Sequence, residues 1–100
     1  MPKLSLSVPH NLGEEEAARR LKARYDAVKA EYGRGMRDLD EQWDGRTLRC
    51  RFRAMGLKVA GSVTALPSSV EVEAEFPLAA AMFKGLVEAR AREELGKLLA

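Results

Sequence analysis

The chain of 100 residues has one cysteine, Cys50, and one histidine, His10. A single thiol closes no internal disulfide, so the core alone must hold the fold. Cys50, inside an alternating apolar run, reads as a small core residue suited to a reducing compartment. Catalysis by a nucleophile and a base needs partnered groups, and His10 and Cys50 fall on different elements. No catalytic residue, metal ligand or cofactor is assigned, and the chain is expected not to be an enzyme. Long apolar runs are missing as well: none approaches the roughly 20 residues that span a bilayer. Residues 1–8 lack the apolar stretch of a secretion signal, so a cytoplasmic protein without a membrane span is expected. Charge of one sign is also absent, since 17 basic and 15 acidic residues leave a net +2, which compels no polyanionic partner. With four prolines, eight glycines and no repeat, the chain excludes long disordered arms and collagen-like structure.

What is there, 46% hydrophobic and 32% charged residues, is the composition of a single globular domain over residues 1–100. Leu4, Leu6 and Val8 alternate with serines, a half-buried strand ended by Pro9. Asn11 with Glu14 makes an Asn version of the capping box, which predicts a helix from near Leu12. Glu14, Glu15 and Glu16 suit its positive end. Ala18, Leu21, Tyr25, Val28 and Tyr32 form its apolar stripe, and Gly33 is expected as its left-handed stop.

From Leu39 to Phe76 the period is two. Asp44-Gly45 predicts a tight hairpin turn in which Leu39 faces Cys50, Asp40 faces Arg49 and Asp38 faces Arg51. Leu48, Cys50, Phe52 and Ala54 face inward with Arg49, Arg51 and Arg53 outward, and Phe52 pairs with Val59 across a Met55-Gly56 turn. The next strand turns its Gly61, Val63 and Ala65 inward. Pro67-Ser68-Ser69 is the third turn. Val70, Val72, Ala74 and Phe76 then alternate with Glu71, Glu73 and Glu75, which are read as solvated rather than metal-binding. Pro77 suits a helix start, and one long helix is expected over Leu78–Leu99. Phe83, Val87, Ala91, Leu95 and Leu98 form its stripe, widened by Met82, Leu86 and Ala89. The predicted fold is α+β, in the order β-α-β-β-β-β-α, a curved antiparallel sheet with two helices on one face, similar to a reduced helix-grip architecture.

Two surfaces carry the candidate sites. Arg49, Arg51, Arg53 and Lys58 form a polar patch. Opposing aspartates and the absence of interleaved aromatics favour cross-strand pairing there over nucleic-acid binding. His10, beside Pro9, is read as a loop hydrogen-bonding residue. The apolar side of residues Leu78 to Val87, with Met82, Phe83, Leu86 and Val87, is either core or a contact surface. As a contact surface it would serve a homodimer, a ligand cavity under the helix or an apolar partner, with Trp43 and Met55 at its rim.

The chain resembles a family of small bacterial proteins of the polyhydroxyalkanoic acid system. The matching segments are Ser7-Val8-Pro9-His10, Ala17-Ala18-Arg19-Arg20-Leu21, Trp43-Asp44-Gly45, the run from Phe52 to Gly61 and the run from Phe76 to Gly85. The resemblance implies a place around polyhydroxyalkanoate granules, intracellular polyester inclusions with an apolar core, and it brings no catalytic residues with it. A granule-associated protein, with granule polymer or granule proteins as partners, is the first expectation. The second is a carrier of an apolar or hydroxyacyl ligand in a pocket lined by Leu48, Phe52, Val63, Val72, Phe83 and Val87. Nucleic-acid binding through the arginine strand ranks third.

Overall fold

The computed structural model describes residues 3–54 and 56–100. Met55, expected in a turn and on the apolar rim, lies outside the described residues, as does the Tyr32 side chain expected on the first helical stripe. Strand β1 (Lys3–Pro9) is followed by helix α1 (Glu14–Tyr32), strands β2 (Arg37–Asp44), β3 (Thr47–Ala54), β4 (Leu57–Ala65) and β5 (Ser69–Glu75), and helix α2 (Lys84–Leu99). The strands form one antiparallel sheet in the order β1-β5-β4-β3-β2, not closed into a barrel. The first strand is thus drawn beside the last, as an α+β layer with helices on one face requires.

Alternation decides which face is covered. Leu4, Leu6 and Val8 are buried while Lys3, Ser5 and Ser7 are exposed. The core joins these three to Ala17 and Leu21 of α1, Ala65, Val70 and Phe76 of the sheet region, and Leu99 of α2. Ala91, Leu95 and Leu98 pack against it at the margin. Only the second half of α2 therefore serves the core. Arg20 ties the two helices together by donating to the Leu98 carbonyl at 2.9 Å, which satisfies one of the orphan acceptors at the end of α2.

Four local expectations are corrected. The Asn11–Glu14 capping box does not form: α1 starts at Glu14 after Gly13 (φ 80), with no side-chain cap. The Leu12 N–H, ahead of the helix, donates to His10 Nδ1 at 3.1 Å, so the connection is held by the histidine while the helix start keeps no side-chain cap. Gly33 keeps right-handed geometry (φ −57), and the chain tightens into a 3₁₀ turn over Gly33–Gly35 before β2. The long terminal helix is divided: Leu78–Phe83 is 3₁₀, opened by an Ala80 N–H to Pro77 carbonyl bond of 2.9 Å, and α2 proper begins at Lys84. With no side chain to cap Pro77, i→i+3 bonds are the local means of pairing the first amides.

The hairpin register is the fourth. Asp44 is a strand residue paired with Thr47, which leaves Gly45 and Arg46 as the loop. Gly45 alone carries positive φ there, at 62°, a conformation free of steric cost for glycine. The slip is two residues, Asp40 facing Arg51 rather than Arg49, so every side chain keeps its face. Between Arg37 and Asp40 the register shifts, and Asp38 adopts a left-handed φ of 55°. One extra residue on β2 is thereby absorbed as a bulge. Elsewhere the expected pairings hold, including Phe52 with Val59 and the inward placement of Gly61, Val63 and Ala65.

Candidate functional site

Segment 78–87 follows Phe76, which is buried, and yet turns its apolar side chains outward. Leu78, Met82, Phe83, Leu86 and Val87 are 79, 82, 51, 70 and 46% exposed. They lie within ten residues, across the 3₁₀ segment and the first turn of α2, where the chain is exposed at every position from 82 to 87. Together they make an apolar ridge of the kind that soluble surfaces seldom leave bare. Met82, Phe83, Leu86 and Val87, the residues the sequence offered as either core or contact surface, are all exposed. Trp43 is not with them: it lies half-buried opposite Leu48 on β2, at the far edge of the sheet from β1, the strand on which α2 packs. Phe83 and Val87, being about half exposed, also stand outside the buried cluster that includes Val63 and Val72 at its margin.

The opposite face of the sheet is polar and free of helices. Arg49, Arg51 and Arg53 project there from β3, and each has an aspartate of β2 for company: Asp44 at 3.5 Å, Asp40 at 2.8 Å and Asp38 at 3.8 Å. The sequence paired two of these arginines with the wrong aspartates, through the hairpin slip, and left Arg53 with Lys58 alone. Lys58 does face Arg53 across the strands. All these groups are largely exposed, where an ion pair contributes about 0–1 kcal/mol. Between the arginine column and the glutamates of β5 runs an open trough of about 570 Å³, floored by Ala60, Gly61 and Ser62.

A third cluster was missed by sequence reasoning. Glu41 faces Cys50 on the helix side of β2, where it accepts from Tyr25 Oη and from Lys29 Nζ, the latter at 2.8 Å. Lys29 also stands 5.4 Å above the Tyr25 ring. Lys29 first, then Tyr25, hold the Glu41 carboxyl below its ordinary range, and the same Glu41 hydrogen bond raises Lys29. Burial, reinforced by Glu41, pushes the Tyr25 phenol and the Cys50 thiol up. Cys50 is therefore held as the unreactive thiol, and the cluster pins the second half of α1 to the edge strand. The signal was present in Leu39-Asp40-Glu41-Gln42-Trp43, whose inward phase turns the Glu41 carboxylate to the helix side, within reach of Tyr25 and Lys29.

His10 is 6% exposed. Its Nε2 lies 3.0 Å from the Leu66 carbonyl and 3.2 Å from that of Ser69. Two acceptors require Nε2 to carry the proton, which leaves Nδ1 to accept from Leu12. The ring thus joins the β1–α1 connection to the β4–β5 turn, the loop role the sequence suggested. Among the described residues, no three His, Cys, Asp or Glu side chains gather as a metal site, and no helix is long and apolar enough to cross a membrane.

No curated protein matches the chain. A family model described as "putative polyhydroxyalkanoic acid system protein" matches residues 4–99, from β1 to the last turn of α2. A match over the whole of this sheet-and-helix unit shows that the chain belongs to that polyhydroxyalkanoic acid system family.

Proposed function

We propose that this protein is a non-enzymatic, cytoplasmic component of polyhydroxyalkanoate granules that holds to the polyester surface through the ridge Leu78, Met82, Phe83, Leu86 and Val87. The observation that carries the reading is the outward exposure of five large apolar side chains on one short segment. Membership of the polyhydroxyalkanoic acid system family supports the context, intracellular polyester inclusions with an apolar core. Fully burying a side chain of this size contributes roughly 1.5–3 kcal/mol each, before the cost of immobilisation, which is ample for a reversible hold. The ridge rests on a helix whose other half is fixed in the core through Ala91, Leu95 and Leu98, so it is presented on a firm support.

The test is co-sedimentation of purified protein with isolated granules, comparing wild type with Phe83→Ser/Leu86→Ser. Because both positions are exposed, the variant is expected to keep its circular dichroism spectrum and melting temperature while losing most of its granule-bound fraction. A folded variant that sediments with granules like the wild type refutes the reading.

A further inference from the structure

Three successive rungs of the helix-free sheet face carry charges that are their own complement, while the fourth, Lys58, Arg53 and Arg37, is wholly basic. Five residues lie side by side across the strands in the rung Lys3, Glu75, Ala60, Arg51, Asp40. Their charges run plus, minus, neutral, plus, minus. Read backwards, the row is minus, plus, neutral, minus, plus, the opposite sign at every charged place. The neighbouring rung, Ser5, Glu73, Ser62, Arg49, Gln42, has the same property, with one anion and one cation placed symmetrically about a small central residue. The third, Ser7, Glu71, Thr64, Thr47, Asp44, reversed upon itself brings no like charges together.

We infer that this face binds a second copy of the chain, the two sheets stacked about a two-fold axis that runs along β4. Rotation about that axis turns one face onto the other and exchanges left for right. Arg51 and Arg49 of each copy then meet Glu75 and Glu73 of the other, and Asp40 meets Lys3. A two-fold axis in the same plane but across the strands would set the whole arginine column on itself and is disfavoured by repulsion, whereas the axis along β4 brings one like pair together, Lys58 on Lys58. The trough is lined at its centre by Ala60, Gly61 and Ser62, so the axis sets trough against trough and leaves a channel along β4, with contact made by the charged columns on either side. The acidic and basic columns, two strand spacings apart, are separated by about 10 Å, which keeps each pairing distinct. The pairs already present within one copy, Lys3 with Glu75 at 3.4 Å and Arg51 with Asp40 at 2.8 Å, become four-charge networks rather than being broken. A face five strands wide offers roughly 500 Å² per copy, about 1,000 Å² in total, at the lower limit of specific interfaces. The dimer is accordingly weak and sensitive to salt, and it leaves the apolar ridge on the opposite layer free.

Sedimentation equilibrium of the full chain at low and high salt tests the inference directly. A reversible monomer–dimer equilibrium is expected at low salt, weakened at least about tenfold by high salt as exposed charges are screened. Arg49→Glu/Arg51→Glu makes both columns acidic and Glu73→Arg/Glu75→Arg makes both basic, so each variant alone is expected to be monomeric. Mixed in equal amounts they should form a heterodimer, since every acidic column then meets a basic one. Circular dichroism of each variant establishes that it is folded, and the salt comparison on the wild type needs no variant at all. A wild type that stays monomeric at low salt overturns the inference. So does a dimer indifferent to salt, a mixture that fails to associate, or a dimer abolished by Phe83→Ser/Leu86→Ser instead.

Discussion

Replacing His10 with alanine removes three polar contacts from one nearly buried position. The Leu66 and Ser69 carbonyls lose their shared donor, and the Leu12 N–H loses its acceptor. A typical net hydrogen bond contributes about 1 kcal/mol, and a buried group left without a partner costs about 1–3 kcal/mol. Water can enter beside the exposed neighbour Ser68 and recover part of this, so His10→Ala should destabilise the protein by roughly 2–4 kcal/mol. At about 4–8 °C per kcal/mol for a domain of this size, the melting temperature should fall by at least about 8 °C. Two further variants divide the effect. Glutamine places its amide nitrogen near the position of Nε2 and can still donate to the two carbonyls, while asparagine places its oxygen near Nδ1 and can still accept from Leu12. Each should recover a different part, visible in urea titrations followed by circular dichroism. Amide exchange at Leu12 should accelerate in His10→Gln and stay protected in His10→Asn. A His10→Ala variant within about 0.5 kcal/mol of wild type, the range of ordinary surface changes, refutes the clamp.

The acid limb of stability should depend on Glu41. Its folded carboxyl is depressed by Lys29 and Tyr25, so its contribution is complete above the ordinary carboxylate value and is lost as pH falls through the lower folded value. Glu41→Gln should flatten the decline below about pH 4.5, leaving a residual slope from Glu16, whose carboxyl Arg19 and then Arg20 hold at about 2; identical acid limbs for wild type and variant sink the assignment. Gly61→Ala should destabilise by about 1–3 kcal/mol, because the added Cβ would stand 3.0 Å from the Glu73 carbonyl oxygen, a backbone atom that cannot yield without loosening the β4–β5 ladder. A thermal melt of Gly61→Ala equal to wild type would show that the two strands have slack there.

Period-two alternation was enough to find every strand and its inward face, since a strand with one wet side can satisfy its apolar residues in one phase only. Register was harder to read. Asp44-Gly45 satisfies the chemistry of a tight turn, but Gly45-Arg46 satisfies it too, and the choice was made by contacts far along the chain: the Ala65 N–H donates to the Arg46 carbonyl at 3.0 Å, and the Arg46 side chain reaches Glu14 at 3.5 Å. The start of α1 failed for a similar reason. Asn11 and Glu14 have the right spacing for a cap, yet the connection is held by a histidine fixed on the β4–β5 turn, 56 residues away, and the helix begins only at Glu14, after Gly13 at φ 80. The ridge residues were legible as apolar, and their exposure was not, because periodicity identifies a face without saying what covers it. For α2 the answer changes partway along the helix.

That change is the clearest sign that folding and surface chemistry make separate demands on α2. Leu95, Leu98 and Leu99 are held in or against the core, and polar substitutions there should cost stability through lost burial. At 78, 82, 83, 86 and 87 the side chains are 46–82% exposed, so within one copy they return little of the roughly 25 cal/mol per Å² that burial yields. Solubility alone would favour polar residues at these places. Apolar residues that serve neither the core of one copy nor its solubility need another surface to cover them. The helix-free sheet face has the reverse character, polar and charged, with three of its rungs matched to themselves in sign. Under the proposed function and the inferred dimer the two layers have different partners, and a single pair of experiments separates them: charge reversal at Arg49 and Arg51 should leave granule binding in place, while polar substitution at Phe83 and Leu86 should leave salt-sensitive self-association in place. Each variant is expected to lose only one of the two activities, because α1 and α2 pack on the face opposite to the arginine column and no residue belongs to both surfaces.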